Sequence, residues 1–323
     1  WLATLDAEYD NLRQALAFCR DESQPGELGL RLSAALWNYW PQRGYFTEGR
    51  AYYAAALSHP DAIAAHTLAR ADALNGAGML AFYQGDYAAA APLHEEGLAL
   101  CRELGNKKGA AMALANRANV SAVQGDYAGA RARYEEALDT WRELNEKKRI
   151  APILNNLGNI VTEQGDYETA RRLQEESLAL EREFGNRQGE AISLNNLGIL
   201  AEERGHYPAA RALYEESLSI HRELGMRASQ ASNLCGLGNI AIKEGDPQLS
   251  YNLCLESLTI RRELGDRWGT PISLLSLGVA ALELGDRPAA RSLLLESLTG
   301  HQQIENPLGI SAALGSLATY AGN

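Results

Sequence analysis

Long apolar runs are missing from these 323 residues. No stretch reaches the ~18 consecutive apolar residues that a membrane-spanning helix needs, so no membrane contact is expected. Cysteine is scarce, and Cys19, Cys101, Cys235 and Cys254 stand far apart with no C-x-x-C. That fits free thiols in a reducing, cytoplasmic setting better than a disulfide scaffold or a zinc site. Positive charge is in deficit, with 30 Lys+Arg against 41 Asp+Glu and a formal net charge of −11. A nucleic-acid surface needs clustered Lys/Arg to displace counterions from phosphates, so no nucleic-acid partner is expected. Catalytic constellations are also lacking. The six histidines (His59, His66, His94, His206, His221, His301) form no H-E-x-x-H, and there is no Walker phosphate loop. The expectation is a chain that is not an enzyme, with no catalytic residues, no metal site and no cofactor. The chain starts at Trp1 rather than Met, shows no basic-then-apolar leader within it, and reads as a piece of a longer protein.

What is present is a large apolar fraction, 46%, and a repeat. Disordered chains are apolar-poor, so a packed core is expected. Gly-Asp-Tyr occurs at 85–87, 125–127 and 165–167, with variants at 205–207, 245–247 and 285–287, always 40 residues apart. Gly44-Tyr45-Phe46 is a degenerate copy one step earlier. Leu-Asn-Asn-Leu-Gly stands at 154–158 and 194–198 in the same register. Self-similarity at this period signals a stacked-repeat architecture.

Each unit reads as two helices. In the middle one, Asn186 is placed to cap the first helix, Ile192, Leu194, Leu197 and Leu200 recur near helical spacing, and Gly205 ends it. A second helix is expected from Tyr207 to Leu224, with Leu213, Leu218 and Leu224 facing inward. Nothing alternates with period two, so strands are not expected. Three columns stay small: Gly78 to Ala318, Ala90 to Ala290, and Gly97 to Ser297. Glycine inside a helix costs roughly 1 kcal/mol relative to alanine, so its repeated use points to close helix contact. One hairpin cannot bury its own apolar face, and the pairs must therefore stack.

Gly at the eighth place of the unit, Gly-Asp-Tyr at 15–17, Ala at 20 and Ala/Ser-Leu at 27–28 resemble the tetratricopeptide repeat, in the 40-residue form of kinesin light chains. The resemblance implies an all-α, right-handed α-solenoid of antiparallel helix pairs. It covers residues 61–321 strongly and 27–60 weakly. Arg117, Pro247 and Arg287 depart from the usual residue types. The expected organisation is N-terminal helices with a degenerate repeat over 1–60, five to six units of 40 residues over 61–305, and a terminal capping helix over 306–323, with Leu308, Leu314 and Leu317 covering the last pair. The segment Leu5-Asp6-Ala7-Glu8-Tyr9-Asp10-Asn11-Leu12-Arg13-Gln14-Ala15-Leu16 is similar to the start of the helical sensor in bacterial STAND-type ATPase regulators. That resemblance implies an upstream ATPase module in the full-length protein, and a signalling role.

In tetratricopeptide arrays the first helix of each pair lines a concave groove. Its positions 2, 5, 6, 9, 12 and 13 share one face. Here position 5 gives Asn75, Asn155 and Asn195, position 6 gives Asn116, Asn156 and Asn196, and position 9 gives Asn119, Asn159 and Asn239. Asparagine is a poor helix-interior residue, and its amide both donates and accepts. A row of such amides is suited to gripping peptide backbone, and the resemblance implies the same role at positions 6 and 9. Alternatively, the amides bond to neighbouring repeats and order the stack. On this reading the partner is a protein or peptide in the concave groove.

Other features leave alternatives open. Thr162, Glu163, Glu202 and Glu203 make the middle of the face polar and acidic. Ile242, Ile272, Leu275, Val279 and Leu282 form an apolar stretch that either marks an interaction site or packs under the terminal helix. Lys107, Lys147, Arg187, Arg227 and Arg267 either pair with Glu103, Glu143, Glu183, Glu223 and Glu263 or face an acidic partner. Cys254 is expected in the core, and Cys235 on the groove as a possible reactive thiol. Trp37, Tyr39, Trp40, Phe82 and Tyr83 are candidates for a small-molecule pocket. Self-association into a scaffold is the remaining class.

Overall fold

The computed structural model describes residues 1–21, 23–63 and 65–322, and these fold into two compact units, Trp1–Asp166 and Tyr167–Asn323. Among the described residues every regular element is a helix. In the first unit these are α1 (Leu2–Phe18), α2 (Gly26–Ala35), α3 (Tyr39–Arg43), α4 (Phe46–Leu57), α5 (Pro60–Ile63), α6 (Leu68–Tyr83), α7 (Tyr87–Glu103), α8 (Lys107–Val123), α9 (Tyr127–Glu143) and α10 (Lys147–Glu163). The second unit holds α11 (Tyr167–Glu183), α12 (Arg187–Glu203), α13 (Tyr207–Glu223), α14 (Arg227–Lys243), α15 (Pro247–Leu264), α16 (Gly269–Glu283), α17 (Arg287–Gln303) and α18 (Pro307–Gly322). Hairpin partners α6/α7 and α8/α9 pack in the first unit; α12/α13, α14/α15 and α16/α17 pack in the second. Each unit is thus a stack of antiparallel helix pairs, the α-solenoid arrangement.

The Gly-Asp-Tyr signature has a local cause. The glycine takes a left-handed backbone, as at Gly85 (φ 77°) and Gly245 (φ 83°). The aspartate then caps the next helix: Asp86 accepts from the Ala89 amide at 3.1 Å and Asp126 from the Gly129 amide at 2.9 Å. Such a cap satisfies one of the four orphan amides at a helix start. Asn106, Asn186 and Asn306 cap the alternate helices in the same way. His206, which replaces the aspartate, makes no side-chain cap bond. Where the turn glycine is missing, Asn145 (φ 53°) and Glu305 (φ 52°) adopt the same left-handed conformation.

The small columns are set by what they face. A Cβ on Gly198 would lie 2.8 Å from the Tyr214 ring, one on Gly238 2.5 Å from Cys254 Sγ, and one on Gly278 2.8 Å from Leu294. The Ser column also bonds: Ser217 Oγ donates to the Ala191 carbonyl, Ser257 to Ala231 and Ser297 to Pro271, at 2.7–2.8 Å. These hydroxyls tie the second helix of each pair to the first helix of the same pair.

The N-terminal segment is a clamp. Asp6 accepts from the Tyr39 hydroxyl at 3.0 Å and pairs with Arg43, the Tyr9 hydroxyl accepts from Trp40 Nε1 at 2.9 Å, and Arg13 forks onto Glu48. The acidic and basic residues of the Asp6 to Leu16 stretch therefore fasten α1 to α3 and α4. At the other end, Arg287 replaces the usual tyrosine. Its guanidinium sits 4.7 Å from the Tyr320 ring centroid and donates to the Tyr320 carbonyl at 2.6 Å, holding α18.

Three inward assignments differ. Leu224 is the cap residue after α13 and is exposed. Leu308 and Leu314 point to solvent, and α18 instead buries Ala313, because its sequence carries apolar residues on more than one face and the small one fits against α16 and α17. Cys235 lies inside α14 with 4% exposure, 3.4 Å from Ser276 Oγ, and is not groove-facing. Cys254 is fully buried as expected; its hydrogen bond to Cys235, then burial, push that thiol upward.

Candidate functional site

The first helices of the pairs carry the asparagine columns, and the structure divides them by depth. In the first unit Asn75 and Asn155 are buried, Asn116 and Asn119 are half-buried, and Asn156 and Asn159 are exposed. Asn75 Oδ1 lies 3.3 Å from His94 Nδ1, inside the α6/α7 pair. Burial, then the charge of Arg117, lowers the His94 imidazole to about 4, so it is neutral near pH 7. Asn119 Oδ1 accepts from the Tyr134 hydroxyl and from Asn156 Nδ2 at 3.4 Å. That amide therefore links its own hairpin to the next. Asn116 has no hydrogen-bond partner among the described residues. Arg117 lies beside these residues, donates to Ser121 at 3.0 Å and approaches Glu95.

The inner ends of α2, α6 and α8 enclose a cavity of about 490 Å3. Arg31, Trp37, Asp72, Met79, Met112 and Asn116 line it, with Asn75 at its floor. Of the five aromatics singled out from the sequence, only Trp37 reaches it. Tyr39 and Trp40 are core residues, Phe82 is half-buried and Tyr83 is exposed elsewhere.

In the second unit the same columns form a polar seam. Asn195 Oδ1 accepts from Asn233 Nδ2 at 3.0 Å, and Asn239 Oδ1 accepts from Ser276 Oγ at 2.9 Å. Asn196 is half-buried. Asn233 was not singled out from the sequence, yet it is fully buried and also meets Ser217 and His221, the latter at 2.7 Å. Glu202 is half-buried and accepts from the Tyr214 hydroxyl at 2.8 Å. Burial raises its carboxyl and the Tyr214 bond partly offsets this. Ile242, Leu275, Val279 and Leu282 are half-buried and Ile272 is exposed.

Three cations of the charge column are paired in place, while Arg267, which has Gln303 one repeat further along, makes no ion pair among the described residues. Lys107 reaches Glu143, Arg187 reaches Glu223, and Arg227 reaches Glu263, each one repeat further along. A parallel row joins Arg102 to Glu136, Arg182 to Glu216, Arg222 to Glu256 and Arg262 to Glu296. Exposed pairs contribute about 0–1 kcal/mol each, so these rows align repeats more than they hold them. Among the described residues no cluster of three or more His, Cys, Asp or Glu is arranged to hold a metal ion, and no helix is long and apolar enough to cross a membrane.

Comparison with known proteins agrees with this geometry. No curated protein matches the sequence. Among solved structures, the apo form of RapI superposes with a TM-score of 0.69 at 16% identity, over 85% of this chain and 98% of that one. A Rap protein complexed with Competence and Sporulation Factor gives 0.64 at 16%, over 99% and 97%. A STAND protein with a tetratricopeptide repeat sensor from Pyrococcus horikoshii gives 0.68 at 12%, over 90% of this chain and 46% of that one. At these identities the likeness concerns the fold. Tetratricopeptide repeat family models match residues 70–104, 109–180, 149–223 and 229–303, and the chain belongs to the tetratricopeptide repeat family.

Proposed function

We propose that the chain is a non-catalytic binding module that takes a protein or peptide along the first-helix faces of its repeats, as the sensor of a larger, cytoplasmic bacterial signalling regulator with an upstream ATPase module. The observation that carries this reading is the exposed edge of the amide columns: Asn156 and Asn159 reach solvent on the face where Asn116 and Asn119 are half-exposed. Amides in that position supply both donors and acceptors to a peptide backbone without dictating its side chains. The two nearby folds support the reading, one being a Rap protein held with Competence and Sporulation Factor and the other a sensor joined to a STAND ATPase. In such a regulator the ligand shifts the output only as far as it prefers one state of the array over another.

The test is selection from a random peptide library on the immobilised chain. Enriched peptides should bind Asn156→Ala/Asn159→Ala at least about tenfold more weakly, a loss of about 1.4 kcal/mol, with melting temperature held within a few degrees. Asn196→Ala makes the same comparison in the second unit. Failure to enrich any peptide, or full affinity in both variants, overturns the reading.

A further inference from the structure

The cavity between α2, α6 and α8 goes beyond a backbone-gripping face. It is concave, about 490 Å3, and within the roughly 300–1,000 Å3 range of small-molecule sites. Only two charged side chains line it, Arg31 and Asp72. Every other arginine around it is committed: Arg70 to Glu96 and two backbone carbonyls, Arg117 to Ser121 and Glu95. Arg31 and Asp72, by contrast, make no ion pair or hydrogen bond among the described residues. An unpaired guanidinium and an unpaired carboxylate lining one cavity without meeting each other form a dipolar receptor. The cavity contributes no net charge, so a simple anion would face Asp72 and a simple cation would face Arg31.

The rest of the wall is apolar and adaptable. Met79 and Met112 are flexible thioethers that mould to an irregular hydrocarbon, and Trp37 offers an indole with 41% of its surface exposed. The free amide of Asn116 adds a donor and an acceptor at the rim. We propose that this cavity binds a small zwitterion with an apolar side chain, its carboxylate on Arg31, its ammonium towards Asp72 and its side chain between Trp37 and the two methionines. An apolar α-amino acid and a short apolar peptide share this chemistry. The site stands apart from the exposed Asn156 and Asn159, so each can be tested without the other.

The experiment is isothermal titration of the whole chain with L-leucine, L-methionine and L-phenylalanine, with the dipeptides Leu-Leu and Phe-Phe, and with N-acetyl-leucine amide, which has the side chain but neither charge. Binding by amino acids identifies a free amino acid as the source, and binding by dipeptides alone identifies a peptide. In either case Arg31→Gln and Asp72→Asn should each weaken it at least about tenfold, while Asn156→Ala/Asn159→Ala leaves it unchanged. Both residues are exposed, so neither variant should melt below the parent; Met112→Trp, which fills the cavity, is the independent check and should abolish binding. The proposal is overturned if no zwitterion binds up to about 10 mM, a free energy weaker than about −3 kcal/mol. It is equally overturned if the blocked amide binds as well as leucine, or if Arg31→Gln, Asp72→Asn and Met112→Trp all retain full affinity.

Discussion

The Tyr214 hydroxyl donates to Glu202 Oε2 at 2.8 Å, bridging the two helices of one hairpin and fixing a half-buried carboxylate on the first-helix face. Burial raises the Glu202 carboxyl above its ordinary value of 4.5. The folded state then holds this proton more tightly than the unfolded chain, so the group lowers stability progressively as pH rises through and above 4.5. Glu202→Gln, which keeps an acceptor for Tyr214, should raise the melting temperature at pH 7. The gain should vanish near pH 4. A variant no more stable than the parent at pH 7 would show that the carboxylate is fully compensated by its partners.

His94 has the opposite sign. Its imidazole is lowered from 6.5 to about 4, mainly by burial and secondarily by Arg117. The stability associated with the neutral ring is complete above pH 6.5 and is lost as pH falls towards 4. The expected loss is on the order of 3 kcal/mol. Denaturant unfolding from pH 7 to pH 4 measures it, and His94→Gln should flatten the profile.

Glu305 has a left-handed backbone (φ 52°) in a column where glycine stands at 105, 185, 225 and 265. Left-handed geometry costs an L-residue with a Cβ roughly 1–2 kcal/mol, so Glu305→Gly should stabilise the second unit by about 1 kcal/mol after its greater unfolded-state freedom is counted. Thermal melts of parent and variant decide this.

Gly198→Ala tests the packing column. The new methyl would lie 2.8 Å from the Tyr214 ring. Overpacking should cost about 1–3 kcal/mol and outweigh the helix-propensity gain of about 1 kcal/mol. In the Tyr214→Leu background the same substitution should be neutral or stabilising. Equal effects in both backgrounds would mean that the ring is not what excludes the methyl.

The hairpins, their turns and their caps were legible because each rests on a local rule. Glycine permits a left-handed turn, the aspartate or asparagine beside it caps, and the period repeats the lesson six times. The partners of the asparagines were not legible in the same way. The columns marked which amides share a face, but depth along that face depends on how closely adjacent hairpins approach, and that buries Asn75 and Asn155 while exposing Asn156 and Asn159. Asn233 lies off the face that the asparagine columns mark. A signal for it existed: Ser193, Asn233 and Ser273 recur at a step of 40, each opposite a serine at 177, 217 or 257. Polar residues paired between consecutive hairpins mark a bonded seam. Cys235 was misplaced for a related reason, since its position rotates under the next repeat's Ser276.

The residues facing the glycines of the small column differ from hairpin to hairpin: His94 at Gly78, Tyr214 at Gly198, Cys254 at Gly238 and Leu294 at Gly278. Each of these glycines is matched to its own occupant, whether imidazole, phenol, thiol or hydrocarbon. The modules look interchangeable in outline but are keyed individually, like wards in a lock. A chain in which the hairpins containing Tyr214 and Cys254 trade places would keep its period and its turns, yet would bring Ser276 to the place of Gly236, where a Cβ meets the Tyr214 ring at 2.8 Å. Serial order in this array is therefore written in its interior as well as in its connectivity.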